Sequence, residues 1–155
     1  MEERISFIQY LIDAHGKISK KIENEDIEKV IKDAHIMYNI CHSTFGFHRG
    51  FLAIAHPQIE KKSPLRFFIT EDNEIIINPV IIRHTKTTID SEEGCATFLD
   101  RNPIIVQRYN KCEVKYQTLI DNKLSEFKLE ELSSLRARVF QHEIDHLDAI
   151  YIYDK

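Results

Sequence analysis

The sequence predicts an α+β fold, in which largely antiparallel β-sheets pack around a metal-binding helix near the C-terminus. Three observations lead to this prediction. An early segment has helical spacing of apolar residues, the middle has short runs rich in β-branched and aromatic residues, and a late helical segment carries two histidines four residues apart. With 155 residues, the chain is expected to form one domain, 1–155, that can bury a core.

Helices are predicted at both ends of the chain. Apolar residues recur at largely helical spacing over 24–41, and Asn24 or Asp26 could cap that helix. A shorter helix is predicted over 5–14. The last helix should run from about 132 to 149, with Ser133 and Ser134 near its start.

Strands are predicted through the middle of the chain, over 51–55, 65–70, 74–82, 104–109, 112–120 and 123–129. The Asp72-Asn73 and Asp121-Asn122 pairs suit the turns between consecutive strands. In 112–120 the residues Val114 and Tyr116 alternate with charged residues, which predicts a strand buried on one face.

Composition narrows the class of protein. A net charge of -4 does not favour broad nucleic-acid binding, and no apolar run is long enough to span a membrane. The N-terminus has acids where a signal peptide needs bases, so we expect a cytoplasmic protein. Three cysteines do not suggest a disulfide framework, and Cys41 and Cys112 are expected to be buried thiols.

The run from His142 to His146, with Glu143 after the first histidine, is the most informative motif. On a helix the two imidazoles share one face and can bind one metal ion, with the glutamate beside them. Leu135 and Val139 precede them on the same stripe, so the site should be partly buried. A surface or core histidine pair is the alternative interpretation.

A catalytic site needs a third ligand, and little chain follows His146. Cys95, after Gly94, is the best upstream candidate, and two imidazoles with one thiolate leave a fourth position open. Asp145 and Asp148 are expected to orient an imidazole.

Metal-assisted hydrolysis of an amide-like bond follows from this ligand set. A cation lowers the pKa of the water that it binds, and Glu143 could take the proton and deliver it to the leaving amine. The backbone N–H of Ala96 and a side-chain amide could stabilise the oxyanion. These residues alone do not identify the amide.

The motifs resemble those of the peptide deformylase family from about residue 24 to the C-terminus. The segment 141–147 is similar to the third family motif, Glu93-Gly94-Cys95 to the second, and Ile77-Asn78-Pro79 to a segment between the first and second. The first motif should fall at 51–58.

The resemblance implies removal of the formyl group from the N-terminal formyl-methionine of newly made polypeptides. It assigns metal ligation to Cys95, His142 and His146, with one divalent ion, natively Fe²⁺ with Zn²⁺ or Ni²⁺ as substitutes; the sequence does not select among them. Glu143 would be the acid/base, and Gln58 with the Ala96 backbone would bind the oxyanion. The methionine pocket would include Leu135 and Val139. Glu93 would structure the site by pairing with an arginine such as Arg101, and the ribosome would be a transient partner.

Departures from the family pattern leave other functions open. Phe51 and Ala53 replace glycines in the strand that lies along the substrate backbone, and His56 replaces an alanine, so the groove could be narrowed. Ala149 stands where glycine is common. One alternative is a divergent protein that binds metal and peptide N-termini with little or no turnover. Others are an ordinary metalloprotease and a structural metal site with His56 or His84 as fourth ligand.

Overall fold

The computed structural model describes residues 17–42, 52–94 and 102–152. The first helix, α1, spans Ile27–Cys41 and is preceded by a 3₁₀ turn at Asn24–Asp26, which confirms the prediction over 24–41. Asp26 anchors this start, because its carboxylate accepts a 2.9 Å hydrogen bond from the Glu23 backbone N–H. The helix predicted over 5–14 lies outside the described residues.

Nine strands follow among these residues: β1 Ala53–Ala55, β2 Phe67–Thr70, β3 Ile75–His84, β4 Thr88–Glu93, β5 Ile104–Tyr109, β6 Lys111–Gln117, β7 Leu119–Ile120, β8 Lys123–Leu124 and β9 Lys128–Ser133. The two longest late predictions were wrong in extent, because the chain turns within 112–120 and again within 123–129. Strand β4 was not predicted, because its sequence is mostly polar and lacks the apolar alternation that marks a strand.

The main sheet is antiparallel and has the order β1-β2-β3-β6-β9, with β4-β5 and β7-β8 as separate antiparallel pairs. Strands β1 and β2 are buried throughout, which is typical of strands covered on both faces. Ile54 and Phe67 pack on the α1 side, whereas Ala53 and Phe68 pack on the other. This sheet therefore separates two cores.

The second core is built on the last helix, α2, which spans Ser134–Leu147 with Ser133 as its N-cap. Phe140 meets the Phe68 ring edge to face at 5.1 Å. Ala149, beyond the end of α2, has φ 61°, the left-handed conformation that favours glycine at this position. The prediction of a late helix is confirmed, with slightly closer bounds.

The bulge in β3 at Asn78 connects the segment that precedes α1, at Ile22, to the sheet. Asn78 has φ 51°, and the register with β6 shifts between Ile77 and Val80. Its side chain accepts from the Ile22 backbone N–H at 2.8 Å and donates to the Ile22 carbonyl at 3.0 Å. It also donates to Gln117 at 2.8 Å.

The cysteine prediction is confirmed for Cys41 and Cys112, both buried free thiols. Burial raises the pKa of Cys41 to about 12 and also raises the pKa of Cys112, so both stay protonated at neutral pH. Among the described helices, none is long and apolar enough to cross a membrane.

Candidate active site

A cavity of about 180 Å³ opens between α2, β1 and the end of β4. Its α2 wall consists of Leu135, Arg138, Val139, His142, Glu143 and His146. The facing wall includes Leu52, Ala53, Gln58, Ser91, Glu92, Glu93 and Gly94. The fold therefore brings together residues from all three predicted motifs.

The two histidines and the intervening glutamate form a compact group. Ligand atoms of His142, Glu143 and His146 all lie within 4.8 Å of one another. The two rings are 4.7 Å apart between centroids, as expected for residues four apart on α2. The group is shielded from water, since His146 is 1% exposed and Glu143 is 5% exposed.

His142 is oriented by a carboxylate from β4. Its Nδ1 lies 2.8 Å from Glu93 Oε1, so a metal-binding role would fall to Nε2. Arg108, on β5, donates from Nε and Nη2 to the two Glu93 oxygens at 2.9 and 2.7 Å. Its Nη1 donates to Asp145 at 2.6 Å, so one buried guanidinium links β4 to α2.

These contacts determine the charge of Glu93. Burial opposes its ionisation, but hydrogen bonds from Arg108 and His142 outweigh burial and hold the pKa of Glu93 well below its usual range. Glu93 is therefore a carboxylate at neutral pH, which fixes the His142 ring and compensates the Arg108 charge.

Glu143 has the opposite environment. Burial raises the pKa of Glu143 to about 7, against an opposing interaction with His142. Its Oε2 is enclosed, lies 3.7 Å from His146 Nδ1, and has no hydrogen-bond partner among the described residues. A buried acceptor of this kind fits a site completed by a cation and water.

Gln58 reaches the cavity from the 3₁₀ turn His56–Gln58 that follows β1. Its Oε1 accepts a 2.8 Å hydrogen bond from the Ala55 N–H, so the amide oxygen is fixed and the NH₂ group is the donor end. His56 anchors the same turn: its Nε2 lies 2.8 Å from Asp33 Oδ2 on α1, and its Nδ1 accepts from the Leu65 N–H at 2.8 Å.

Some of the site residues predicted from the sequence line the cavity, and others fall outside the described ranges. Ala53, Glu93, Leu135 and Val139 line the cavity, although Leu135 is 50% exposed. Cys95, Ala96 and Phe51 fall in the parts of the chain that the structure does not describe. Gly94, directly before Cys95, does line the cavity.

The described contacts identify partners of Glu93 and of the two aspartates near the site. The carboxylate on His142 is Glu93, whereas Asp145 binds Arg108 and Asp148 binds Arg66 at 2.7 Å. The arginine on Glu93 is Arg108; Arg101, the residue named from the sequence, is outside the described ranges. Arg108 could have been found from the sequence, because it alternates with Val106 on the buried face of a strand, where a charge needs a partner.

His56 and His84 are not suited to the roles considered for them. His56 is 0% exposed and is absent from the cavity wall, so it does not narrow the groove. Both of its ring nitrogens are hydrogen-bonded, which excludes it as a fourth ligand in this conformation. His84 is exposed, and its Nδ1 bonds the Thr85 carbonyl while its ring stacks on Tyr109.

Comparison with known proteins gives a family match and several relatives of similar sequence. The family model described as Polypeptide deformylase matches residues 11–155. A peptide deformylase of Thermotoga neapolitana is 35% identical over 112 residues, covering 70% of this chain and 64% of the relative. A chloroplastic peptide deformylase 1B of Solanum lycopersicum is 32% identical over 148 residues, covering 88% of this chain and 47% of the relative.

Solved structures are also similar. The peptide deformylase from Thermotoga maritima matches with a TM-score of 0.75 at 30% identity, covering 92% of this chain and 90% of that one. The peptide deformylase from Thermus thermophilus matches with a TM-score of 0.74 at 26% identity, over 94% and 81% of the two chains. The α+β architecture with antiparallel sheets and a late helix is therefore shared with these proteins.

Proposed function

Since the chain belongs to the polypeptide deformylase family, we propose that it is a metal-dependent hydrolase that removes the N-formyl group from N-terminal formyl-methionine. The observation that best supports this activity is the group of partly buried His142 and buried Glu143 and His146 at the cavity, with Glu93 on the first imidazole. Its substrate would be a formyl-methionyl peptide.

The metal would be held by His142, His146 and Cys95. Ionised Glu93 supports this role, because a carboxylate on Nδ1 of His142 fixes the ring and makes Nε2 a stronger metal ligand. Two imidazoles and a thiolate suit Fe²⁺, Zn²⁺ or Ni²⁺, and we propose Fe²⁺ as the native ion. When bound, the ion supplies Lewis acidity that makes water a nucleophile near neutral pH.

Glu143 would transfer the proton. A pKa near neutrality suits a group that first accepts a proton from water and then donates it to the amine that leaves. Its burial keeps bulk water from competing for that proton.

Gln58 and the Ala96 backbone would stabilise the oxyanion. The Gln58 amide is held by the Ala55 N–H, so its NH₂ group needs little reorganisation as charge develops. Leu135 and Val139 would contact the methionine side chain, and Ala53 would lie along the peptide backbone.

The second candidate is a deformylase-like protein that binds metal and peptide N-termini with little turnover. Ala53 favours it, because this residue adds a methyl group at the cavity wall where the family strand has glycine. His56 does not add to that argument, since it is buried against Asp33. We further propose a single domain acting in the cytoplasm, with transient contact to the ribosome and none to nucleic acid or membrane.

Formate release tests the proposal. The protein is purified anaerobically with iron and assayed on formyl-Met-Ala-Ser, beside Glu143→Gln, Cys95→Ser and the exposed-site control Glu126→Gln. We expect release by the parent and the control, a loss of at least about 100-fold in Glu143→Gln with metal retained, and loss of metal in Cys95→Ser. Metal binding without formate release would support the second candidate, and cleavage of internal peptide bonds would support a protease.

A further inference from the structure

Arg138 is a cavity residue that the proposed chemistry does not use. It lies on α2 one turn before His142 and lines the same cavity. Four other arginines of the described ranges each bind a carboxylate within 2.6–2.8 Å: Arg66, Arg83, Arg108 and Arg136. No ion pair of Arg138 is found within the described parts of the chain.

The Arg138 side chain also has an unused donor. Its Nε is enclosed by the protein and has no hydrogen-bond partner in the described part of the structure. A guanidinium cannot lose its proton at any physiological pH, and an enclosed donor without an acceptor is unfavourable. The charge of Arg138 thus has no partner in the described part of the chain, and a ligand that enters the cavity could supply one.

The position of Arg138 relative to the reacting group indicates which part of a peptide would reach it. One helical turn separates Arg138 from His142, a distance of about 5.4 Å along α2. An extended peptide advances about 3.3 Å per residue. Arg138 differs from Val139 by about 100° in direction around α2, so it can face a part of the peptide other than the methionine side chain. With the formyl group beside Glu143, the second or third peptide residue is the part that would reach Arg138.

The shape of the guanidinium indicates the chemistry of that residue. The planar guanidinium offers paired N–H donors that match the two oxygens of a carboxylate better than a single carbonyl. Among the described residues that line the cavity, Arg138 is the only lysine or arginine. Glu92 lines the cavity too and would repel a ligand carboxylate. Because Glu92 is exposed, water and salt screen this repulsion.

We propose that Arg138 is a specificity-determining residue that binds a carboxylate at the second or third residue of the peptide. The protein then favours formyl-methionyl peptides with Asp or Glu at one of these positions. This inference rests on the proposed function, because it takes a formyl-methionyl peptide as the occupant of the cavity.

Binding to the metal-loaded Glu143→Gln protein tests the inference without turnover. Calorimetry compares C-terminally amidated formyl-Met-Asp-Ala and formyl-Met-Ala-Asp with their Asn counterparts. We expect at least about tenfold tighter binding of one Asp peptide than of its Asn counterpart, and weaker discrimination at high salt. Adding Arg138→Met, which keeps the apolar stem, should abolish the preference for the Asp peptide. Arg138→Lys should retain part of that preference. Arg83→Met, which removes an exposed charge elsewhere, should leave it intact.

Formate release from neutral amidated formyl-Met-Ala-Ala by the parent reports the proposed function separately. Equal binding of Asp and Asn peptides, or discrimination that survives Arg138→Met, overturns the role of Arg138 while leaving deformylation standing. If free-acid formyl-Met-Ala-Ala binds more tightly than its amide and this difference is lost in Arg138→Met, while amidated Asp and Asn peptides bind alike, the contact is to the peptide terminus and the side-chain preference is overturned. Absence of peptide binding in every protein overturns the inference, and absence of formate release by the parent contradicts the function.

Discussion

At the scale of single residues, two nearby glutamates are tuned in opposite directions. Glu93 is ionised because Arg108 and His142 donate to it, whereas Glu143 keeps its proton up to about pH 7 because it is buried. The same residue type thus provides a fixed negative charge at position 93 and a group that titrates near neutral pH at position 143. This difference is what the proposed division between orienting carboxylate and acid/base requires.

The raised pKa of Glu143 has a consequence for stability. In the unfolded chain the carboxyl loses its proton near pH 4.5, but in the metal-free folded protein it does so near pH 7. Stability is therefore lost as the pH rises from about 4.5 to about 7. We expect metal-free Glu143→Gln to match the parent near pH 4.5 and to exceed its free energy of unfolding by roughly 2–3 kcal/mol at pH 8.

Urea unfolding of both metal-free proteins at the two pH values measures this difference. Glu126→Gln, at an exposed position, is the matched control and should follow the parent at each pH. A stability difference that does not change with pH would contradict a buried, titrating Glu143.

At the scale of secondary-structure elements, the turn His56–Gln58 is held by contacts from outside itself. His56 bonds Asp33 on α1 and the Leu65 backbone, and its ring stacks on Phe67 with 4.7 Å between centroids. Lys29 also pairs with Asp33 at 2.9 Å. The position of Gln58 in the cavity therefore depends on α1, which itself contributes no residue to the cavity wall.

The His56 contact predicts a pH-dependent contribution to stability. Burial lowers the pKa of His56 despite the opposing effect of Asp33, so the unfolded chain takes up the proton first as the pH falls. The stability that neutral His56 contributes is fully present above about pH 6.5 and is lost as the pH falls below it. We expect His56→Ala to cost about 2–4 kcal/mol at pH 8 and clearly less at pH 5.

Chemical denaturation at the two pH values compares His56→Ala with the parent and with His35→Ala, an exposed position on α1. The His35 variant should show no comparable change with pH. An equal cost of His56→Ala at pH 5 and pH 8 would count against a neutral buried imidazole in the folded protein.

At the scale of the whole molecule, the sheet is a partition between a supporting core and the core of the site. Adjacent residues of β2 point to opposite sides, so Phe67 joins the α1 core and Phe68 joins the α2 core. Phe140 and Ile144, on the helix that carries both histidines, belong to the second core. Packing on that side should therefore influence metal affinity as well as stability.

Substitution of these two neighbours separates the effects. Phe67→Leu and Phe68→Leu should each lower the free energy of unfolding by about 1–2 kcal/mol, because each opens space in a packed core. Phe68→Leu should also weaken metal binding, since Phe68 supports Phe140 on α2. Competition with a chromophoric chelator measures the affinity, and a larger loss in Phe67→Leu would contradict this partition.

Local pattern accounts for much of the fold. The helical spacing over 24–41 and the apolar stripe before His142 are signals carried by neighbouring residues, so both helices were predicted. Strand β4 was missed because its edge-like, polar sequence forms a strand only through pairing with β5. The break after Gln117 was missed because the apolar alternation continues across it.

The sequence by itself determined the helix that presents His142, Glu143 and His146, because four-residue spacing on a helix places side chains on one face whatever surrounds it. Only the tertiary structure decided that Glu93 rather than Asp145 lies on His142 Nδ1, that Arg108 joins them, and that Arg138 lines the cavity with no carboxylate partner in the described part of the chain. Partners distant in the chain are selected by which strands and helices pack together, and burial, which determines the charge of each glutamate, exists only after that packing.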